Sequence, residues 1–342
     1  MKAMRLHEIT EFKKNPEPLK YEEIPVPEPA EGEVLVKVSV CGVCHTELDE
    51  IEGRTPPEEF PMVPGHQVVG TVERISGNSK GLKEGDRVGI AWIYSACGEC
   101  YHCEGGEENL CQDFMATGRD ADGGYAEYMT VPADFAHPVP EGLEDGEAAP
   151  LLCAGAIGYR SLSLTEISNG DRLGMTGFGA SGHLVLRMAK YLYPDSELFV
   201  FARSGEQREF AKELGASWAG DTEEKSPEKL HAIIDTTPAW KPVVEALGNL
   251  EPGGRLVINA IRKESADQDY LQKLDYSRHL WMEKEIKSVA NVTRKDVENM
   301  LKVAAEFGIK PDIETYPLKE ANKALMDLKK GGSRGAKVLN IS

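Results

Sequence analysis

From about residue 155 onward, apolar runs alternate with helix-like segments, and this alternation constrains the fold more than any other feature of the chain. In order, these stretches read DRLGMTGF, SGHLVLRMAKYL, ELFVFA, GEQREFAKELG, HAIIDTT and RLVINA. Strands that alternate with helices form parallel sheets, because each helix carries the chain back to where the next strand starts. The pattern therefore predicts an α/β domain with a doubly wound parallel sheet.

A glycine-rich turn, GFGASG, lies between the first of these strands and the first helix. Glycines here permit a tight turn, the close approach of a pyrophosphate to backbone N–H groups at the helix N-terminus, and helix-on-strand packing. A plain glycine turn is the alternative, but the strand before it and the helix after it favour a dinucleotide site. The residues predicted to contact the cofactor are Gly177, Gly179, Ala180, Ser181 and Gly182.

The end of the second strand distinguishes between the two nicotinamide cofactors. NAD sites usually place an acidic residue about 20 residues after the glycines, where it binds the ribose hydroxyls. Here Ala202 takes that place, and Arg203, Ser204 and Arg208 follow it. Because this loop offers cations instead of an anion, it favours the 2′-phosphate of NADP(H). The alternative is that Arg203 is an ordinary solvated residue.

The first 150 or so residues have a different pattern. They contain the short strand-like runs VLVKVSV, HQVVGTVERI, DRVGIAWI and GYAEYMTVPA, joined by turns rich in glycine and proline. This pattern predicts a β-rich, barrel-like domain. A chain of 342 residues with 41% hydrophobic content can build two domains, each with its own core.

Four of the seven cysteines lie close together in CGECYHCEGGEENLC, with the spacing CxxCxxCx7C. A short loop with this spacing can surround a tetrahedral ion, and four thiolates complete the shell of zinc without leaving a position for substrate. A structural zinc held by Cys97, Cys100, Cys103 and Cys111 is therefore predicted. An iron–sulfur cluster and free thiols are the alternatives, although the usual cluster signatures differ from this run.

The other cysteines are Cys41, Cys44 and Cys153, and His66 follows a Pro-Gly turn before an apolar strand. Two thiolates and one imidazole would leave zinc one open position, which is the arrangement of catalytic zinc sites. The stretch CGVCHTEL also matches the CxxCH pattern of haem attachment and the CxxC of a redox pair. A histidine before a strand is often structural, so His66 indicates a metal site mainly in combination with the cysteines.

The formal charge is −18, from 57 acidic and 39 basic residues spread along the chain. Such a surface repels phosphate backbones, so no nucleic acid partner is expected. The N-terminal stretch lacks the features of a signal peptide, and no later run reaches the roughly 18 apolar residues that span a bilayer. We therefore expect a cytoplasmic protein without membrane contact and with reduced thiols.

Taken together, these features resemble the zinc-dependent medium-chain alcohol dehydrogenase family nearly from end to end. The matching elements are GVCHTEL, PGHQVVG, the four-cysteine run, GGYAEY, PLLCAG, the glycine-rich turn and RGAKVL. The resemblance implies a GroES-like catalytic domain, a structural zinc lobe and a Rossmann coenzyme domain. The implied ranges are 1–154 with 291–342 for the catalytic domain, about 95–113 for the lobe, and 155–290 for the coenzyme domain.

The same resemblance assigns Cys44, His66 and Cys153 to the catalytic zinc, which makes Cys41 a spare thiol and the haem pattern accidental. It implies two zinc ions per chain. It also places His45 towards the cofactor phosphates and gives Thr46 the hydroxyl that first receives the substrate proton.

Further roles follow from the resemblance, each beside a simpler interpretation. Glu47 would orient a ligand imidazole, although it could be a surface acid. Trp92 would form a wall of the substrate pocket, or be a core aromatic, and Arg294 would contact the cofactor, or only start a helix.

Two positions depart from the family: Asp49 stands where relatives often have the relay histidine, which suggests that the proton leaves through water. Gln67 stands where they often have glutamate, which should leave the zinc more electrophilic.

The implied activity is reversible hydride transfer between an alcohol, primary or aromatic by preference, and NADP(H). The expected partners are a small alcohol or aldehyde and further copies of the chain, as a homodimer or homotetramer. A polyol or secondary-alcohol dehydrogenase is the alternative within the superfamily, although such relatives often lack the complete four-cysteine lobe. A non-catalytic zinc and nucleotide scaffold and an electron-transfer haem protein are the alternatives from other classes.

Overall fold

A computed structural model describes residues 1–331 and 335–341, without the side chain of Ala180, and divides the chain into two compact units. Unit 1 comprises Met1–Ala156 and Val292–Ser342, and unit 2 comprises Ile157–Asn291. The strands are β1 (Lys2–Leu6), β2 (Leu19–Glu23), β3 (Glu33–Val43), β4 (Val68–Ile75), β5 (Arg87–Ile90), β6 (Ile93–Ser95), β7 (Met115–Ala116), β8 (Tyr128–Pro132), β9 (His137–Pro138), β10 (Arg172–Thr176), β11 (Glu197–Phe201), β12 (Trp218–Gly220), β13 (Leu230–Asp235), β14 (Leu250–Ile258), β15 (Glu285–Ser288), β16 (Ile313–Pro317) and β17 (Ala336–Asn340). The α-helices are α1 (His45–Ile51), α2 (Tyr101–Glu104), α3 (Asp145–Pro150), α4 (Ala156–Thr165), α5 (Ala180–Leu192), α6 (Gly205–Glu213), α7 (Lys241–Asn249), α8 (Arg294–Phe307) and α9 (Ala321–Lys330).

Unit 2 contains a six-stranded sheet in the order β12-β11-β10-β13-β14-β15, and every neighbouring pair is parallel. Its core packs aromatic side chains of β11, such as Phe199, against aliphatic side chains of β13 and α7, such as Ile233 and Leu247. The strand order reverses between β10 and β13, and ligands of such sheets bind at the carboxyl edge near this reversal. The predicted doubly wound α/β fold is confirmed.

Unit 1 is built around β3, an eleven-residue strand that pairs antiparallel with β4, β8 and β17. The sheet runs β16-β17-β3-β4-β5-β9, and β16 and β17 are parallel. The predicted β-rich character is confirmed, but three of the predicted strands are shorter in the structure. The run GYAEYMTVPA forms β8 only from Tyr128 to Pro132. β4 begins at Val68, so His66 and Gln67 precede it, and the run DRVGIAWI is divided into β5 and β6 on either side of Ala91 and Trp92.

None of the helices in the described ranges is long and apolar enough to cross a bilayer.

Candidate metal centres and dinucleotide site

The turn from β3 into α1 places a thiol at the start of a helix. Cys44 is the N-cap of α1, and its Sγ accepts a hydrogen bond of 3.3 Å from the backbone N–H of Thr46. Glu47 completes a capping box, because its Oε2 accepts a 2.8 Å hydrogen bond from the backbone N–H of Cys44. The local sequence CHTE therefore holds the thiol at the positive end of the helix, where a thiolate is favoured.

The other oxygen of Glu47 faces the imidazole of His66. Glu47 Oε1 lies 2.6 Å from His66 Nδ1, and both side chains are buried. The opposite ring nitrogen, His66 Nε2, lies 3.5 Å from Cys44 Sγ. A carboxylate that engages Nδ1 fixes the ring so that Nε2 presents its lone pair to a metal. Glu47 is therefore buried beside the imidazole and is not a surface acid, and its role in orienting a metal ligand stays a prediction.

Cys153 completes this first donor set from a π-helical turn, Leu151–Gly155. The ligand atoms of Cys44, His66 and Cys153 all lie within 4.8 Å of one another. A tetrahedral zinc with a thiolate at about 2.3 Å and an imidazole nitrogen at about 2.1 Å would separate those two donors by about 3.6 Å. The observed 3.5 Å between Cys44 Sγ and His66 Nε2 matches this value. The three residues therefore fit zinc and supply three ligands.

The electrostatics of this donor set also favour the binding of a cation. The neighbouring Cys153 thiol and burial raise the pKa of Cys44 well above its usual value. Burial opposes a charged imidazole, yet Glu47 and Cys44 raise the pKa of His66 well above its usual value. A metal ion supplies the positive charge that stabilises both thiolates in such a buried place.

The second donor set is the loop that carries Cys97, Cys100, Cys103 and Cys111, whose Sγ atoms lie within 4.8 Å of one another. Cys97 Sγ lies 3.5 Å from Cys111 Sγ and 3.8 Å from Cys103 Sγ. Four thiolates at about 2.3 Å around a tetrahedral ion would be about 3.8 Å apart. The distances exclude disulfides, which require about 2.0 Å, and they fit zinc.

Cys41 takes part in neither donor set. It lies in the buried C-terminal part of β3, its side chain is inaccessible to solvent, and its Sγ packs against Gly65 and Gly124. A Cβ added at Gly65 would lie 2.9 Å from this sulfur and would collide with it, and one added at Gly124 would lie 3.1 Å from it. CGVCH therefore does not present its two cysteines to a common ligand, which argues against the haem and redox-pair interpretations.

The remaining residues predicted near Cys44 are placed as follows. His45 and Thr46 form the first turn of α1, the former exposed and the latter half-buried. Asp49 is buried and forms an ion pair with Arg54. Gln67 is buried, with its amide against the backbone of Gly42.

Two further residues of unit 1, the aromatic Trp92 and the cationic Arg294, make well-defined contacts with neighbouring side chains. Trp92 is half-buried, with its ring 5.2 Å from that of Phe114 and the guanidinium of Arg119 at 5.2 Å from its centroid. Arg294 begins α8, and its backbone N and Nε donate to Glu108 Oε1 at 2.9 and 3.0 Å. Arg294 thus ties α8 to the four-cysteine loop, and a contact with the cofactor stays a prediction.

The predicted glycine-rich turn connects β10 to α5. Gly177 has φ +78°, and an added Cβ would lie 2.7 Å from Thr237 Cγ2, so no other residue fits there without displacing the neighbouring loop. Gly182 packs against the turn, because an added Cβ would lie 2.9 Å from the carbonyl oxygen of Gly177. Gly179 caps α5 and has open space on its Cβ side, which leaves room for a ligand. Ser181 follows in the first turn, as does Ala180, whose side chain lies outside the described part.

The loop after β11 contains the residues predicted to select NADP(H). Arg203 is exposed and makes no side-chain hydrogen bond or ion pair to any described residue. Ser204 caps α6 through a 3.5 Å hydrogen bond from the backbone N–H of Gln207. Arg208 is engaged instead: its Nη1 donates to the carbonyl oxygens of Ala202 and Arg203 at 2.7 and 2.9 Å, and to Asp221 at 3.2 Å. Arg208 therefore braces the loop that presents Arg203.

Sequence reasoning missed a second buried acid on α1. Glu50 lies three residues after Glu47, is 1% exposed, and neither of its oxygens completes a hydrogen bond with a described residue. Burial and the charge of Glu47 raise its pKa well above the usual value. The three-residue spacing, which puts both acids on one helix face, was the available signal.

An ion pair under the glycine-rich turn was also missed. Asp235 ends β13 fully buried, accepts a hydrogen bond from Thr176 Oγ1, and pairs with Lys263. Lys263 also donates to the carbonyl oxygen of Thr237 at 2.7 Å. This pair holds the loop against which Gly177 packs. Its partners are far apart in sequence, so no local pattern indicated it.

Comparison with known proteins agrees with this geometry. The family model described as the alcohol dehydrogenase GroES-like domain matches residues 30–141. A probable alcohol dehydrogenase, AdhA, of Mycobacterium tuberculosis is 44% identical over 321 residues, which is 92% of this chain and 91% of the relative. An alcohol dehydrogenase of Geobacillus stearothermophilus is 35% identical over 347 residues, or 99% of each chain.

Among solved structures, a thermostable alcohol dehydrogenase from Pyrobaculum aerophilum with cobalt and zinc bound superimposes with a TM-score of 0.84. The two chains are 26% identical, and the match covers 100% of this chain and 99% of the other. The full-length identities, together with two donor sets that fit zinc, lead to one conclusion. The chain belongs to the zinc-dependent medium-chain alcohol dehydrogenase family.

Proposed function

We propose that this alcohol dehydrogenase holds two zinc ions per chain and uses NADP(H) to interconvert primary or aromatic alcohols with their aldehydes. The observation that supports it best is the convergence of Cys44, His66 and Cys153, which supplies three ligands and leaves the fourth tetrahedral position to a substrate oxygen. The Pyrobaculum relative, with cobalt and zinc bound, supports the choice of metal. The four-cysteine set, in contrast, leaves no open position and is proposed to be structural.

Zinc at the three-ligand set would act as a Lewis acid on the substrate oxygen, and NADP(H) would exchange the hydride. The residues of the chain prepare this chemistry. Glu47 holds His66 Nδ1 and so aims Nε2 at the ion. Thr46, next to the ligand Cys44, is proposed to take the proton of the alcohol on its hydroxyl. Asp49 is bound to Arg54 and is therefore unsuited to pass the proton on, which supports exit through water.

The preference for aromatic or primary alcohols is supported by Trp92. Its ring is held in place by Phe114, at 5.2 Å between ring centroids, and by the guanidinium of Arg119, at 5.2 Å from the Trp92 centroid, and both contacts are at favourable distances. A ring fixed in this way offers a flat apolar wall to a planar substituent and leaves little room for a branched one.

The test is a panel of primary, secondary, aromatic and polyol substrates, each assayed with NADPH or NADP⁺ and with NADH or NAD⁺, together with metal analysis. We expect two zinc ions per chain and the highest kcat/KM for primary or aromatic substrates with the phosphorylated cofactor. Preference for polyols would contradict the substrate class. A chain that binds metal and nucleotide but turns over no substrate would contradict enzyme function altogether.

Replacing Arg203 with alanine should selectively weaken the use of NADPH. A charge-assisted hydrogen bond to phosphate contributes about 1.5–3 kcal/mol, so kcat/KM with NADPH should fall by roughly 10- to 150-fold, while the value with NADH changes little. Steady-state kinetics with both cofactors measure this. Lys212→Ala, which removes another cation of α6 that is paired with Glu209, is the matched control. Equal losses with both cofactors would contradict the assignment of Arg203 to the 2′-phosphate.

Replacing Glu47 with alanine should weaken zinc binding to the three-ligand set. Loss of the carboxylate that orients a ligand imidazole usually lowers metal affinity by about 10- to 100-fold. Competition with a coloured chelator measures the affinity, and the four-cysteine set serves as an internal reference. Glu50→Ala removes a buried acid of the same helix whose oxygens complete no hydrogen bond with a described residue, and it should lower zinc affinity less. The reverse order would assign the orienting role to Glu50.

We also propose that the protein forms a homodimer or larger homo-oligomer through β15. All four residues of this edge strand are exposed, and large apolar side chains lie on it and before it: Trp281, Met282 and Ile286 are 56%, 52% and 45% exposed. An exposed apolar edge strand is prone to pair with another copy. Light scattering should give a multiple of 37.5 kDa, and Ile286→Lys should shift it towards the monomer. A wild-type monomer would contradict this proposal. The cytoplasmic location stays a prediction.

A further inference from the structure

We infer that Glu50 is a positioning residue for the substrate pocket, because its buried carboxyl group takes the indole N–H of Trp92 as its partner and so fixes the direction in which the ring points. This inference rests on the proposed role of Trp92 as a wall of that pocket. Both residues belong to unit 1, but they lie far apart along the chain, and no sequence motif connects them.

Both side chains carry buried polar atoms that lack a partner. Glu50 is 1% exposed, and its Oε1 and Oε2 atoms are inaccessible to solvent and complete no hydrogen bond with a described residue. The Nε1 atom of Trp92 is likewise buried and unpaired among the described residues. Buried polar groups are nearly always paired in folded proteins, and an indole nitrogen only donates, whereas a carboxyl oxygen accepts. The two unpaired groups are therefore chemically complementary.

Backbone contacts bring Trp92 to the helix face that carries Glu50. The N–H of Thr117 donates to the carbonyl oxygen of Trp92 at 2.8 Å. The glycine that follows Thr117 packs closely on the turn before His66, because an added Cβ there would lie 2.7 Å from a backbone nitrogen of that turn. His66 faces Glu47, which lies one helical turn before Glu50 on the same face of α1. Trp92 and Glu50 therefore belong to one layer of side chains around His66.

The electrostatics of Glu50 agree with this placement. Burial and the charge of Glu47 raise the pKa of Glu50 well above its usual value. Three neighbours oppose this shift, namely His66, Arg119 and the indole N–H of Trp92. The effect of Trp92 is that of a side-chain hydrogen bond, which acts only at short range. The indole N–H and the carboxyl group therefore lie next to each other, and neither is bound to another described residue.

The other contacts of Trp92 leave the direction of its N–H open. The guanidinium of Arg119 lies 5.2 Å from the ring centroid, and the ring of Phe114 is 5.2 Å away at an angle of 42°. Arg119 is itself fixed by Asp120, to which its Nε and Nη2 donate at 2.8 and 2.6 Å. Contacts of these two kinds depend on the distance and tilt of the ring and not on where its nitrogen points. A hydrogen bond at the ring edge supplies the missing constraint, and Glu50 offers its acceptor.

The position of Glu50 connects this contact with the reaction. Glu50 lies on α1, whose N-cap is the proposed zinc ligand Cys44. One short helix thus carries both a ligand of the metal and the group that holds Trp92, so the wall of the pocket is oriented relative to the reacting oxygen. A wall that loses this contact should still admit a small alcohol but should bind a planar substituent less well.

The first test detects the hydrogen bond itself. The chain has four tryptophans, so a TROSY spectrum of the ¹⁵N-labelled protein should show four indole N–H signals, and Trp92→Phe identifies that of Trp92. Glu50→Leu fills the space without an acceptor and should move the proton of this signal upfield. Glu50→Gln keeps a carbonyl oxygen and should restore the wild-type position. A signal that does not move in Glu50→Leu would overturn the inference and leave the proposed function intact.

The second test measures the effect on substrates in protein whose zinc content equals that of the wild type. Glu50→Leu should lower kcat/KM for benzyl alcohol by roughly three- to tenfold, mainly through a higher KM, because one hydrogen bond that orients the wall is lost. The value for ethanol should change by less than about twofold, and Glu50→Gln should restore the value for benzyl alcohol. The matched control is Glu52→Gln, which alters the acid at the end of the same helix that is paired with Arg54. It should change neither the Trp92 signal nor the ratio of the two substrates.

The remaining outcomes separate the inference from its premise. A Trp92 signal that moves while the ratio of benzyl alcohol to ethanol stays constant would refute the positioning role. If Glu50→Gln behaved like Glu50→Leu, the assignment of Glu50 as the acceptor would be wrong. A wild-type protein that oxidises neither alcohol would contradict the proposed function, and the spectrum would still decide whether Glu50 holds Trp92.

Discussion

Replacing Cys153 with alanine is expected to remove one of the two zinc ions and to lower kcat by on the order of a thousandfold. A Lewis acid at the substrate oxygen supplies several kcal/mol of transition-state stabilisation, and each 1.36 kcal/mol corresponds to a factor of ten in rate. Cys153 is a suitable position because it caps no helix, whereas Cys44 also accepts a hydrogen bond at the start of α1. Metal analysis and steady-state kinetics on the same preparation measure both effects.

The matched control for this variant is Cys41→Ala. Cys41 is a buried thiol of the same unit that lies outside the donor set, so its loss should cost stability through packing but retain two zinc ions and most of the activity. If Cys153→Ala kept two zinc ions and near wild-type kcat, the three-ligand assignment would be wrong.

The second large effect is expected from the four-cysteine loop. Cys100→Ser should remove the structural zinc and lower the melting temperature by on the order of 10 °C, because structural zinc sites contribute many kcal/mol of folding free energy and each kcal/mol shifts Tm by a few degrees. A hydrogen bond from the backbone N–H of Cys103 lowers the pKa of Cys100 to about 7, whereas burial raises the pKa of Cys103 to about 12. Backbone hydrogen bonding thus favours the thiolate form of Cys100.

Differential scanning calorimetry and metal analysis measure the melting temperature and the zinc content of Cys100→Ser. Kinetics at low temperature separate its effect on stability from any effect on catalysis. We expect the catalytic zinc and most of kcat to be retained at 10–15 °C below the new melting point. A variant that loses one zinc but melts like the wild type would show that the lobe contributes nothing to stability. A variant that loses both ions would show that the two sites are coupled.

Local patterns in the sequence account for features whose parts lie close together along the chain. The four cysteines at residues 97–111 can converge on one ion because a short loop brings them within reach whatever the rest of the fold does. The glycine-rich turn is similar, since β10, the turn and α5 are consecutive. Strand and helix alternation likewise predicts the parallel sheet, because period and chain direction are local properties.

Other features depend on contacts between distant segments. Arg203 and Arg208 look equivalent in the sequence, yet only the structure shows that Arg208 is bound to Asp221, directly after β12, while Arg203 stays exposed. The burial of Glu50 and the pairing of Asp235 with Lys263 are of the same kind. A side chain's partner is determined by which strands and helices are packed together, and no short-range pattern contains that information.

The sequence by itself determined the fold class, the four-cysteine loop and the dinucleotide turn, because each is encoded in consecutive residues with a fixed spacing. The resemblance assigned the three-ligand set, but only the tertiary structure shows its members converging from a helix start, a turn before β4 and a π-helical turn. It also shows that Glu47 faces His66 and that Cys41 lies outside the donor set. The physical reason is that these relations are distances across the folded core, which exist only after the strands have paired.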